Sequence, residues 1–139
     1  MKISIFTPSN DTRWLPEAWE SLRDQQVDFE WIVGLNGTAN SANIPVDPRV
    51  RSIDLGEWKG VGNAKKQLCD AALGDVLLEL DHDDVLAEGA LNHVAEAFGD
   101  PEVGFVFSDT AEWIDATGEP FVYSEAYGWR SYPCTIRGR

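Results

Sequence analysis

Val76-Leu77-Leu78-Glu79-Leu80 runs directly into Asp81-His82-Asp83-Asp84, an apolar strand pattern that ends on three carboxylates in four residues. A short apolar run of this kind predicts a strand buried within an α/β sheet. Before it, Val61, Ala64, Leu68 and Ala71 keep helical spacing from Gly60 onward, and Gly74 is placed as a C-terminal cap. After it, Ala87, Ala90, Leu91, Val94, Ala95 and Phe98 share one helical face, and Val103 to Phe107 reads as the next strand. Helix, strand, helix and strand in succession set the class as α/β.

The same alternation extends toward the amino terminus. Lys2 to Thr7 is β-rich and is broken by Thr7-Pro8-Ser9-Asn10-Asp11. Pro16 suits a first helical turn, with Leu15, Ala18, Trp19 and Leu22 at helical spacing. Phe29 to Leu35 (FEWIVGL) is nearly all apolar, as expected of a strand covered on both faces, and Val50 to Leu55 is a third, short strand. Glu112 to Tyr123 differs: two short strand patterns flank Ala116-Thr117-Gly118-Glu119, which predicts a hairpin. The expected architecture is a mostly parallel sheet with flanking helices in a single domain over 1–139. Its α/β donor half covers 1–109, and a β-hairpin with a tail covers 110–139.

Composition narrows the function. At 139 residues, 43% hydrophobic and 11% aromatic, the chain can bury one core. A formal net charge of −13 argues against nucleic acid and against an anionic membrane surface, since both are bound through basic faces. No apolar run reaches the length of a membrane span or of a signal peptide, so a cytoplasmic protein is expected. Cys69 and Cys134 form neither a disulfide framework nor a zinc-ligand pattern, and Cys69 reads as a small core residue.

Ligands of open α/β sheets bind beyond the carboxyl ends of the strands. That rule selects Thr7, Pro8 and Asn10, then Asn36-Gly37, the Gly56 to Lys66 segment, Asp81 to Asp84, and Ser108-Asp109. The clustered carboxylates of Asp81, Asp83 and Asp84 repel one another unless a cation intervenes. Their hard oxygens suit Mg²⁺ or Mn²⁺, which take one or two carboxylates together with substrate phosphates. The alternative is that Asp83 or Asp84 caps the following helix. Asn36 carries both a donor and an acceptor and can read a nucleobase edge, or it can simply close a turn. Lys65 and Lys66 fall near a helix start, where cations oppose the dipole unless an anion binds; one of the two reads as a solvated surface residue. Gly60-Val61-Gly62 is not a dinucleotide fingerprint, and neither His82 nor His93 completes a catalytic triad.

In order, ISIFTPSN, WIVGLNG, GVGNAKKQLCDAALGD, LLELDHDD and FVFSDTAEWIDATGE resemble the family 2 glycosyltransferases with the GT-A, Rossmann-like fold. The resemblance runs from about Lys2 to Gly118, and Asp81-His82-Asp83 looks like the family's DxD element. It implies a hexosyltransferase-type enzyme that moves a sugar from a nucleoside diphosphate, UDP by the family pattern, to a saccharide-like acceptor with inversion and a divalent metal. Thr7 and Pro8, with Asn10 beside them, would line the nucleoside pocket. Asn36 would stand where the family usually has an Asp touching the base, and Lys65 where an Arg is common. Asp81 would approach ribose or metal, Asp83 would ligate the metal, and Asp109 would lie near the sugar. Family members usually continue into an acceptor-binding half that supplies the catalytic base. No base is identified here, and a truncated chain that self-associates through an exposed surface is expected.

Two other readings stand beside this one. A nucleotide-sugar-binding module without the acceptor half would bind donor and metal but turn nothing over. A phosphoacceptor receiver is disfavoured because its acidic pair should follow the first strand.

Overall fold

The computed structural model of the chain describes residues 1–37, 39–58, 60–108, 111–114, 119–122 and 136–137. Two compact units are present, Met1–Ala95 and Glu96–Arg139. The first holds a four-stranded parallel sheet in the order β3-β2-β1-β4: β1 (Ile3–Ser9), β2 (Phe29–Leu35), β3 (Val50–Asp54) and β4 (Val76–Glu79). Helix α1 (Leu15–Leu22) links β1 to β2, and α2 (Val61–Ala71) links β3 to β4.

Strand alternation distributes the core to two faces. On one, Trp19 of α1 stacks on Trp31 of β2 with ring centroids 6.0 Å apart, and Phe29 lies 6.4 Å from the same ring. The Arg49 guanidinium covers both Trp19 and Phe29 at 5.0 and 4.8 Å. On the other, Phe6 and Ile32 pack with Leu55 and with Ala64 and Leu68 of α2. Phe29 to Ile32 and Val33 are buried without interruption, as the apolar run predicted.

Three sequence expectations are corrected. β4 is not buried throughout: it is an edge strand of its sheet, and Leu77 is 48% exposed. Gly74 is not the cap of α2, which ends at Ala71 with Ala72 already extended. A Cβ on Gly74 would meet Lys2 O and Ser4 N at 2.7 Å, so close passage of the chain beside β1 is what requires glycine there. The helix after the acidic turn, α3 (Ala90–Ala97), starts later than its apolar pattern suggested. Gly89 at φ 72° precedes it, and Gln25 and Ser21 of the α1 region hold the intervening backbone: Gln25 Nε2 donates to Ala87 O at 3.0 Å, and Leu86 N donates to Ser21 Oγ at 3.1 Å.

The second unit contains β5 (Val103–Phe105), antiparallel to β8 (Ile136–Arg137), and the pair β6 (Ala111–Ile114) and β7 (Glu119–Val122). β6 and β7 pair antiparallel from Ala111↔Val122 to Ile114↔Glu119, as the hairpin pattern anticipated. Its Ala116 to Gly118 turn lies outside the described residues, as do Asp109, Cys134 and the tail 123–135. Cys69 is half-buried against the α2 face of the core. Among the described residues no helix is long and apolar enough to cross a membrane.

Candidate functional site

The strand order creates a crevice. The chain builds β1, β2 and β3 outward in one direction, then returns through α2 to place β4 on the other side of β1. Loops leaving β1 and β4 therefore diverge, and ligands of open α/β sheets bind in the gap between them. A cleft of about 230 Å³ occupies this position, lined by Pro8, Asn10, Asn36, Trp58, Val61, Asp81, His82 and Asp83.

Local bonding sets each wall. After β1, the Ser9 hydroxyl donates to Asp11 O at 2.9 Å, and Arg13 N donates to Asp11 Oδ1 at 3.1 Å. The Arg13 backbone N–H, joined by its guanidinium at 2.6 Å, holds the Asp11 carboxyl below its usual range against a smaller cost of burial. The turn is thus braced by its own residues, with Pro8 and Asn10 on the cleft. After β2, Asn36 N donates to Ser9 O at 2.8 Å and Gly37 N to Gly56 O at 3.0 Å, which ties together the ends of β1, β2 and β3. After β4, Leu80 N donates to Phe6 O, and Asp84 N closes a turn on Asp81 O at 3.2 Å.

Two features of this cleft carry chemical meaning. The first is Asn36, a residue only 3% exposed that lines the cleft. Its amide carries a donor and an acceptor side by side, so a ligand with matching groups could pair with it there. The second is the acidic turn. Asp81 and Asp83 are both exposed and both line the cleft. Partial burial of its carboxyl, followed by repulsion from Asp83 and Asp81, holds Asp84 above the usual carboxylate range, with His82 opposing. Neither Asp83 nor Asp84 caps a helix, because α3 begins only at Ala90. Among the described residues no group of three or more His, Cys, Asp or Glu side chains is gathered. Two carboxylates, those of Asp81 and Asp83, line the cleft, and Mg²⁺ in general takes one or two carboxylates and completes its shell with water and phosphate oxygens.

Pro8, Asn10, Asn36, Asp81 and Asp83 thus come together in one cleft. Thr7 is fully buried one residue behind it, and its hydroxyl accepts a hydrogen bond from Trp31 Nε1 at 2.8 Å. Lys65 is half-buried on α2 and outside the lining, its ammonium bound to Glu79. That bond, more than the added charge of Asp81, holds Lys65 above its ordinary pKa. Lys66 is the solvated member of the pair and bridges to Asp70 one turn along the helix. Asp109 lies outside the described residues. The strand-end rule selected the Gly56 to Lys66 segment that holds Trp58 and Val61 but named neither as a site residue, and an isolated aromatic such as Trp58 has no periodicity to mark it.

A larger hollow of about 490 Å³ lies along Ser41 to Ser52, lined mainly by Ile44, Pro45, Val46 and Pro48. Its one charged group, Asp47, is committed to Arg49 through Oδ1 at 2.9 Å and Oδ2 at 3.1 Å. It therefore offers a ligand little polar recognition, and the smaller cleft is the better site.

Two solved structures share the fold. The crystal structure of S. aureus TarS 1–349 matches with a TM-score of 0.63 at 20% identity, over 72% of this chain and 33% of that one. A second, of S. aureus TarS, gives 0.57 at 18%, over 72% of this chain and 20% of that one. The chain thus spans a third or less of the length of these neighbours, and the likeness establishes a GT-A type sheet with flanking helices. No curated protein matches. The description "Glycosyl transferase family 2" matches residues 4–138, nearly the whole sequence, and the chain belongs to that family.

Proposed function

We propose that the cleft between β1 and β4 binds the nucleoside diphosphate of a sugar donor, UDP-linked in the first instance, for inverting transfer to a saccharide acceptor. The observation that carries this reading is the convergence of the Asn36 carboxamide with Asp81 and Asp83 on one cleft at the strand ends. An amide presents a donor and an acceptor side by side, which suits the edge of a base. Pro8 and Asn10, which line the same cleft, would contact the nucleoside. Asp81 and Asp83 would hold Mg²⁺ or Mn²⁺, and a cation bound there would supply charge neutralisation for a diphosphate leaving group. Lys65, beside Glu79 and within the field of Asp81, adds positive charge near the same end. Asp109 is assigned to the sugar by the family pattern alone.

Asp81 and Asp83 are the only carboxylates among the described cleft-lining residues, and both are assigned to the cation. This favours, as a second reading, a donor-binding module that needs a base from elsewhere for turnover. Calorimetric titration of UDP and GDP, each with and without Mn²⁺, tests the donor site. UDP is expected to bind in a metal-dependent manner, and Asp83→Ala should weaken that binding by about 100-fold, roughly 2.7 kcal/mol. Unchanged metal dependence in Asp83→Ala would remove Asp83 from the site. Donor hydrolysis or transfer by the wild-type chain would exclude the module reading.

A further inference from the structure

Trp58 is the only Phe, Tyr or Trp among the described cleft-lining residues, and it is 57% exposed. No ring contact or hydrogen bond with the protein engages its indole among the described residues, in contrast to Trp19 and Trp31. Its backbone position is nonetheless well defined by the loop that carries it. Gly56 N donates to Asp54 Oδ1 at 2.9 Å, and Gly37 N donates to Gly56 O at 3.0 Å. A Cβ built on Gly37 would stand 3.6 Å from the Trp58 Cβ, so Trp58 stands beside the Asn36-Gly37 turn.

An exposed aromatic residue thus stands next to a cleft-lining carboxamide. A nucleobase needs both: a π-face to stack and a polar edge to pair. A diphosphate offers neither, and its charge directs it to the cation end of the cleft. Resting on the donor-site reading above, we infer that Trp58 is the stacking wall for the donor's nucleobase and a determinant of nucleoside affinity, with Asn36 reading the edge. Stacking tolerates any base because every base has a π-face, whereas an amide reads the edge. Trp58 therefore sets how tightly a nucleoside is held, and Asn36 sets which one.

The test compares wild type, Trp58→Ala and Trp58→Phe in titrations with UMP, UDP and GDP, and with pyrophosphate, all in the presence of Mn²⁺. Trp58→Ala should weaken UMP and UDP equally, by about tenfold, and GDP by a similar factor, with Trp58→Phe restoring most of the loss. Pyrophosphate affinity should not change. Because the indole is exposed, neither variant should alter thermal unfolding. The inference is overturned if wild type binds UDP with Mn²⁺ while Trp58→Ala binds UMP and UDP as wild type does. It is also overturned if UDP weakens and UMP does not, since the indole would then contact something other than the base. A wild type that binds no nucleotide would defeat the donor-site reading itself, a result distinct from either of these.

Discussion

The two ends of the parallel sheet treat buried polar groups in opposite ways. At the amino ends, Glu30 is 4% exposed and every direction around its carboxylate is occupied. Ser4 Oγ donates to it at 2.6 Å, Leu73 N at 2.7 Å and Arg51 Nε at 3.0 Å, while Gly74 N donates to the same Ser4 hydroxyl at 2.7 Å. This clasp joins β1, β2, β3 and the approach to β4. At the carboxyl ends, Asn36 is equally buried as a residue but lines a cleft together with Asp81 and Asp83. A polar cluster closed on itself contributes to the fold, whereas polar groups that line a cleft remain available to a ligand.

The clasp provides the largest expected effect. Glu30→Ala leaves the Leu73 amide and the Ser4 hydroxyl without their acceptor and Arg51 without its counter-charge. Loss of one member of such a buried cluster costs about 3 kcal/mol. For a chain of this size that lowers Tm on the order of 10 °C, measurable by calorimetry or circular dichroism. Metal-dependent UDP affinity of the folded fraction should be unchanged. A Glu30→Ala protein with wild-type Tm would break the contrast from its structural side.

Asn36→Leu probes the other end, with little effect on stability. Replacing a cleft-lining amide by an apolar group of similar size should leave thermal unfolding nearly unchanged, within about 0.5 kcal/mol. UDP affinity should fall about tenfold, equivalent to 1.4 kcal/mol. Stability retained with binding lost is the pattern expected of a residue kept for a ligand. A variant that is less stable and still binds UDP as wild type does would make Asn36 a structural turn residue.

The legible parts of this molecule were those governed by local pattern. FEWIVGL became β2 with the bounds its apolar run implied, because both of its faces are covered. Pro16 and the Leu15, Ala18, Leu22 spacing gave α1, and the acidic turn was found at a strand end on the cleft. What escaped depends on residues far apart in sequence. Gly74 is required by Lys2 and Ser4, about seventy positions away, and no cap pattern can report that. The late start of α3 reflects capture of residues 86–91 by Ser21 and Gln25, in competition with a helical pattern that local spacing alone supports. Exposure of Leu77 follows from strand order, since VLLE in a central position would have been buried. The cleft itself was legible as a rule about strand ends, while Trp58, an aromatic outside any motif, required the loop geometry.

The smallest effect sharpens the contrast through pH. Burial by itself pushes the Glu30 carboxyl upward, but the Ser4 hydroxyl, the Leu73 amide and Arg51 together outweigh it and hold the group below its ordinary value of 4.5. A carboxylate with a depressed folded pKa contributes stability that is complete above the unfolded pKa and is lost as pH falls through the folded one. Thermal unfolding followed from about pH 6 to about pH 3 should therefore show wild type losing stability more steeply than Glu30→Gln, which has no carboxyl to protonate. Asn36→Leu, which removes no titratable group, should keep the wild-type slope. If Glu30→Gln instead kept the full acid slope, the clasp would not be the source of the pH dependence, and the saturated end would owe its stability to packing of Ser4 and Gly74 rather than to the charge they surround.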